Sequence, residues 1–221
     1  MDENVKALME ARHSVRQYLD KPIPEEVKES FSRYVEKLNE ESGLNIQVFY
    51  DEPECFSSRM AHYGKFENAV NYIAIVGKSS KNLDELGGYY GEKAVLEAQR
   101  LGLNTCWVAL THGKSKAVVE KREEEVIIIS LGYGKTQGVA RKSKKPEDVG
   151  VTLDSPEWFK EGVNAALLAP TAINQQKFGF TLKDGKVKAT SPKIGPCLKI
   201  DLGIVKCHFE LGAGKENFDW E

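Results

Sequence analysis

The sequence predicts an α+β fold, with a mixed, mainly antiparallel sheet flanked by helices. Apolar residues recur at helical spacing over 25–41 and again over 91–102. Two short apolar runs, NYIAIVG (71–77) and EEVIIISLGYG (124–134), read as buried strands. Hairpin-like and crossover-like connections alternate irregularly, which disfavours a regular βαβ wind.

In chain order, residues 3–12 suit a short helix with Val5, Leu8 and Met9 on one face. After the loop DKPIP, Glu25 to Glu41 carries Val27, Phe31, Tyr34, Val35 and Leu38 at helical spacing, and Gly43 suits its stop. IQVFY (46–50) and then 71–77 are strands. GGYYGEKAVLEAQRLGLNTCWVAL reads as a glycine lead-in, a helix over 91–102 with Ala94, Val95, Ala98 and Leu101 inward, a stop at Gly102, and a buried strand. The stretch KTQGVARKSKKPEDVG (135–150) is polar and aperiodic, and marks the candidate internal boundary. Beyond it, Ser155 before Pro156 reads as a helix N-cap, with the helix running to about Leu168. Asp184-Gly185 supplies the two positive-φ residues of a tight hairpin turn within FGFTLKDGKVKAT. Finally, Asp201 is expected to cap a helix with Ile204, His208 and Leu211 on one face.

Composition narrows the classes. At 221 residues, 41% hydrophobic and 29% charged, the chain reads as globular, and a net charge of -2 gives no global attraction for nucleic acid. No apolar run nears the ~20 residues of a membrane helix, and MDENVKALMEARHS has no apolar signal core, so a cytoplasmic protein is expected. Cys55, Cys106, Cys197 and Cys207 form no CxxC, and the four histidines are scattered, so reduced thiols and no metal site are expected. GYGKT (132–136) and HGKSK (112–116) end like phosphate-binding loops but lack the required first glycine, and half such a loop cradles nothing.

Three polar clusters remain. RHSVR places Arg12, His13, Ser14 and Arg16 together: either a solvated helix end, or guanidinium forks and a hydroxyl matched to a phosphate. APTAINQQ crowds Thr171, Asn174, Gln175 and Gln176 after Pro170, either a capped turn or an edge for a flat heterocycle, since amides both donate and accept. Gly87 and Gly88 before Tyr89 and Tyr90 make either a flexible helix lead-in or a close backbone approach to a ligand at a helix N-terminus. The basic run ARKSKK (140–145) lacks the interleaved aromatics of a nucleic-acid groove and by itself reads as a solvated loop.

RHSVR, LGLNTCW, SLGYG and APTAINQQ together resemble the FMN-dependent nitroreductase family, across most of the chain but least over 51–70 and 185–200. That resemblance implies a nitroreductase-like fold, FMN as cofactor and NADH or NADPH as reductant. It also implies a ping-pong passage of a hydride through the flavin to a nitroaromatic or quinone-like acceptor. Arg12 and Ser14 would hold the FMN phosphate, with His13 assisting. Arg16 would lie near the flavin pyrimidine edge, and Pro170, Thr171, Asn174 and Gln176 along the ring. Gly88 and Tyr89 would approach the ring, and Arg141 or Lys142 would return to the phosphate. No catalytic residue beyond the flavin is implied.

The family usually carries its APSxN turn soon after RHSVR. Here the turn comes in the C-terminal half, like a rearranged branch. One nitroreductase-like domain over 1–221 is therefore expected, with a two-lobe division near 135–152. A homodimer and a single-chain pseudo-dimer both fit. A flavin-binding or sensing protein of the same fold without turnover, and a flavin-free module that contacts acidic partners, are the alternative functions.

Overall fold

The computed structural model describes residues 3–221. Its helices are α1 (Glu3–Ala11), α2 (Glu25–Ser42), α3 (Arg59–Tyr63), α4 (Leu83–Arg100), α5 (Glu157–Ala166) and α6 (Leu198–Ala213). Its strands are β1 (Asn45–Phe49), β2 (Asn71–Lys78), β3 (Asn104–Val108), β4 (Glu123–Gly132), β5 (Gly179–Lys183), β6 (Lys186–Thr190) and β7 (Asp219–Trp220). Helices accompany mainly antiparallel sheets. It divides into two compact units, one of residues 3–10, 84–92 and 140–221, the other of 11–83 and 93–139.

The second unit is built on a four-stranded antiparallel sheet in the order β1-β2-β4-β3. β2 is buried from Asn71 to Gly77 because its residues are apolar on both faces, as a central strand requires. Tyr18, Phe56, Phe66, Tyr72 and Ile128 pack in one cluster against it. Gly43 takes φ 70 after α2 and Gly102 φ 78 after α4, the left-handed stops expected of them.

The first unit gathers round Phe209, which is fully buried on α6. Phe180 stacks on it at 4.6 Å, and Phe159, Phe218 and Trp220 meet it edgewise or tilted at 5.6, 5.2 and 5.5 Å. Asp184 and Gly185 take φ 50 and 75, closing the β5–β6 hairpin as expected. The two-residue β7 pairs parallel with β6, a pairing with no sequence signal.

Four local expectations fail. GGYY is not a lead-in: Gly87 and Gly88 lie within α4, which starts at Leu83. Ser155 does not cap α5; its hydroxyl accepts from Thr152 N at 2.9 Å, and Pro156 is the boundary residue. Asp201 lies inside α6, which starts after Cys197, so its carboxylate is released for another partner. Ile204 and His208 are buried as expected, but Leu211 is an exposed member of the helix.

Candidate functional site

In the second unit, residues 14–18 run as an extended strap. Val15 N donates to Thr105 O at 3.0 Å, Tyr18 N to Glu67 O at 3.0 Å and Leu19 N to Tyr133 O at 2.8 Å. The Tyr18 hydroxyl donates to Val15 O at 2.7 Å and lies 2.7 Å from Ser130 Oγ, and its burial pushes its pKa well above the usual tyrosine value. Gly134 N donates to the Asn104 side chain at 2.9 Å, and a Cβ on Gly138 would lie 2.6 Å from His13 Cβ. RHSVR, LGLNTCW and SLGYG, distant in sequence, therefore form one surface.

On that strap Arg12 is 2% exposed, while Ser14 and Arg16 face solvent and His13 is half-buried. All three of Arg12, Ser14 and Arg16 act on a single atom, the Cys106 thiol. Burial raises its pKa, and the Arg16 charge, a Ser14 hydrogen bond and the Arg12 charge each lower it. Two guanidiniums and a hydroxyl thus lie close enough to one thiol to lower its pKa. Arg16 has no carboxylate partner among the described residues. A dianion is the ligand that such a donor set fits.

In the first unit, the turn after α5 is strained and heavily bonded. Ile173, Asn174 and Gln176 take φ 49, 54 and 45, in the left-handed region. The Gln176 amide accepts from Lys144 N at 2.8 Å and donates to Lys142 O at 2.9 Å and to Asn174 Oδ1 at 3.1 Å. Asn174 Nδ2 donates to Lys142 O at 3.0 Å, and Gln176 N to Thr171 Oγ1 at 3.0 Å. Beneath the turn, Asp201 accepts from Ala172 N at 3.0 Å and from Gln175 Nε2 at 2.7 Å.

The geometry sorts the expected residues. Pro170, Thr171, Asn174 and Gln176 share the turn with Lys142, which is exposed. Arg141 spends its guanidinium on the carbonyls ending α5, donating to Ala169 O at 2.7 Å and Leu167 O at 3.2 Å. Gly88 belongs to helix packing, because a Cβ there would lie 2.1 Å from Ile200 O of α6. Tyr89 donates its hydroxyl to Glu210 at 2.5 Å, which also accepts from Trp220 Nε1 at 2.6 Å. Asp201 and Cys106 are the residues that sequence reasoning missed. Cys106 was already present within LGLNTCW; Asp201 gave no signal beyond that of a cap.

A protein-family model described as "Putative TM nitroreductase" matches residues 4–213. The chain belongs to this nitroreductase family. No curated protein matches the sequence. Among solved structures, a "putative nitroreductase" from Thermotoga maritima is 24% identical, with a TM-score of 0.70 over 98% of this chain and 86% of that one. A "putative nitroreductase in complex with FMN" from Desulfovibrio desulfuricans is 17% identical, with a TM-score of 0.50 over 71% of this chain and 99% of that one. A "putative NADH dehydrogenase/NAD(P)H nitroreductase" from Bacteroides thetaiotaomicron is 17% identical, with a TM-score of 0.51 over 67% and 97%. These structures share the nitroreductase fold. Among the described residues no helix is long and apolar enough to cross a membrane.

Proposed function

We propose that this nitroreductase-family chain is an FMN-dependent oxidoreductase that passes a hydride from NAD(P)H to a nitroaromatic or quinone-like acceptor. The observation that carries this reading is that Arg12, Ser14 and Arg16, on one strap bonded to β3 at Thr105, all act on Cys106 of that strand, a donor set suited to a phosphate. Family membership and the FMN complex of the Desulfovibrio desulfuricans structure support it.

When bound, FMN supplies the two-electron chemistry itself. The chain's residues bind and orient. Buried Arg12 and the Ser14 hydroxyl take the phosphate end, with His13 beside them. Arg16 places a positive charge near the flavin's pyrimidine edge, where negative charge grows on reduction. Pro170, Thr171, Asn174 and Gln176 form a rigid ledge for the ring. Lys142, exposed, reaches that ledge through its backbone carbonyl, which accepts from Asn174 and Gln176. Gly88 lets α4 approach α6, Tyr89 bonds Glu210 of α6, and Arg141 fixes the end of α5.

The protein acts in the cytoplasm, as a homodimer or as a single-chain pseudo-dimer, and a size measurement separates the two. Protein offered FMN should turn yellow, show the flavin absorption bands and bleach on addition of NADH or NADPH. Protein that takes up no flavin refutes the FMN reading; bound flavin that neither nicotinamide reduces refutes the turnover.

A further inference from the structure

The turn at 172–176 is the most strained segment of its unit. Ile173 is β-branched, sits in the left-handed region and is 89% exposed, so no burial compensates its backbone strain. Something outside the turn must hold it. On one side the holders are amides, backbone groups and the Lys144 ammonium, which donates to Gln176 O at 2.7 Å. On the other side the holder is one carboxylate. Asp201, 6% exposed in the first turn of α6, accepts from Ala172 N with both oxygens, at 3.0 and 3.2 Å. It also accepts from Gln175 Nε2, which is shared with Pro196 O at 2.8 Å.

We propose that Asp201 is a positioning residue, whose ionised carboxylate clamps the Ala172–Gln176 turn in the form that presents Thr171, Ile173 and Asn174 to ligand. As a statement about flavin this rests on the FMN reading above; as a statement about the turn it does not. A carboxylate accepts from both donors at once. The protonated acid loses its charge and keeps one acceptor oxygen for two donors, so the clamp loosens. Burial raises the Asp201 carboxyl to about 6, against the opposing pull of the Gln175 and Ala172 hydrogen bonds. Loosening therefore falls within an accessible pH range.

Other charged and titratable groups lie around it. Cys197, at the start of α6, is pushed above the ordinary thiol range by burial and by the Asp201 and Asp84 charges, and stays neutral there. Asp84 belongs to the first turn of α4, and Lys199 projects to solvent from α6. Lys142 and Lys144 reach the turn from its far side through Gln176. His208, seven residues further along α6, is fully buried and bonded to Glu92 at 2.8 Å.

The test uses the full-length chain, labelled with nitrogen-15 and free of flavin. In the wild type, the Ala172 backbone amide and the Gln175 side-chain amide should shift together as pH is lowered, with a midpoint near 6. In Asp201→Asn neither should titrate. FMN affinity, read by quenching of flavin fluorescence, should be at least about tenfold weaker in Asp201→Asn at neutral pH and flat with pH. The wild type should approach that weakened value as it is acidified. A pH-independent Ala172 amide in the wild type overturns the proposal without recourse to any variant. Wild-type FMN affinity and pH profile in Asp201→Asn overturn it as well. A wild type that binds no FMN but whose Ala172 amide titrates supports the clamp and overturns the flavin reading instead.

Discussion

Replacing Gly88 with alanine separates ligand approach from helix packing by the sign of its effect. Gly88 is buried within α4, and a Cβ there would lie 2.1 Å from Ile200 O and 2.9 Å from Ile200 C. The contact is reciprocal: a Cβ on Gly203 of α6 would lie 1.9 Å from Glu85 O and 2.7 Å from Tyr89 N. All four obstacles are backbone atoms, so no rotamer change relieves the clash and the helices must separate. Against this stands the helix propensity of alanine over glycine, about 1 kcal/mol in favour of the variant. Overpacking of a tight core costs typically about 1–3 kcal/mol, and so deep a backbone overlap belongs at the upper end. The net is about 2 kcal/mol of destabilisation, or a fall in Tm of roughly 4–8 °C for a chain of this size. Thermal unfolding of flavin-free protein reads it directly. Were the glycine there only to admit a ligand, the flavin-free variant would gain about 1 kcal/mol and only flavin affinity would suffer. An unchanged or raised Tm in the absence of flavin refutes the packing argument.

Three further outcomes follow from the same structure. Arg12→Ala should weaken FMN binding by roughly 10–100-fold, as expected for loss of a buried charge-assisted contact, whereas Lys145→Ala should change it by less than about fivefold; equal effects in fluorescence titrations would remove Arg12 from the phosphate end. Tyr18→Phe should cost about 1–3 kcal/mol in denaturant unfolding, because Val15 O and Ser130 Oγ lose their shared partner at the root of the strap, and a smaller loss would show the strap is held by its backbone bonds alone. The raised carboxyl of Asp201, moved from 3.8 to about 6, means the folded chain binds more protons than the unfolded one between those values. This group's share of stability is therefore greatest below about pH 4 and falls by about 3 kcal/mol as pH rises through 6; unfolding curves of Asp201→Asn should lack that slope.

Elements set by local chemistry were legible in the sequence. Gly43 and Gly102 stop their helices because a residue without Cβ enters the left-handed region freely, and Asp184-Gly185 closes its hairpin for the same reason. β2 and β4 announce themselves because a central strand needs apolar side chains on both faces. GGYY misled for the opposite cause. Paired glycines favour a loop when read locally, yet here they keep α4 helical because the α6 backbone occupies the space a side chain would fill. That information resides in Ile200 and Gly203, and no window around residue 88 contains it.

The site divides along the same line. RHSVR could be recognised as a candidate anion site from residue types alone, since phosphate recognition is a property of guanidinium and hydroxyl groups. Its support could not, because Thr105, Ser130 and Gly134 reach the strap only through sheet register. At the other cluster the sequence displayed the polar residues and concealed their tasks. Gln175 and Gln176 looked like ligand-facing amides, and both also hold the turn. Asp201 looked like the cap of its own helix and instead bonds a turn 29 residues earlier in the chain. A buried carboxylate kept ionised at neutral pH opposes folding, and a strained isoleucine left in solvent does too. Two unfavourable features that meet at one turn are hard to explain as structure for its own sake. They are intelligible if the turn's shape, rather than its stability, is what the chain must maintain.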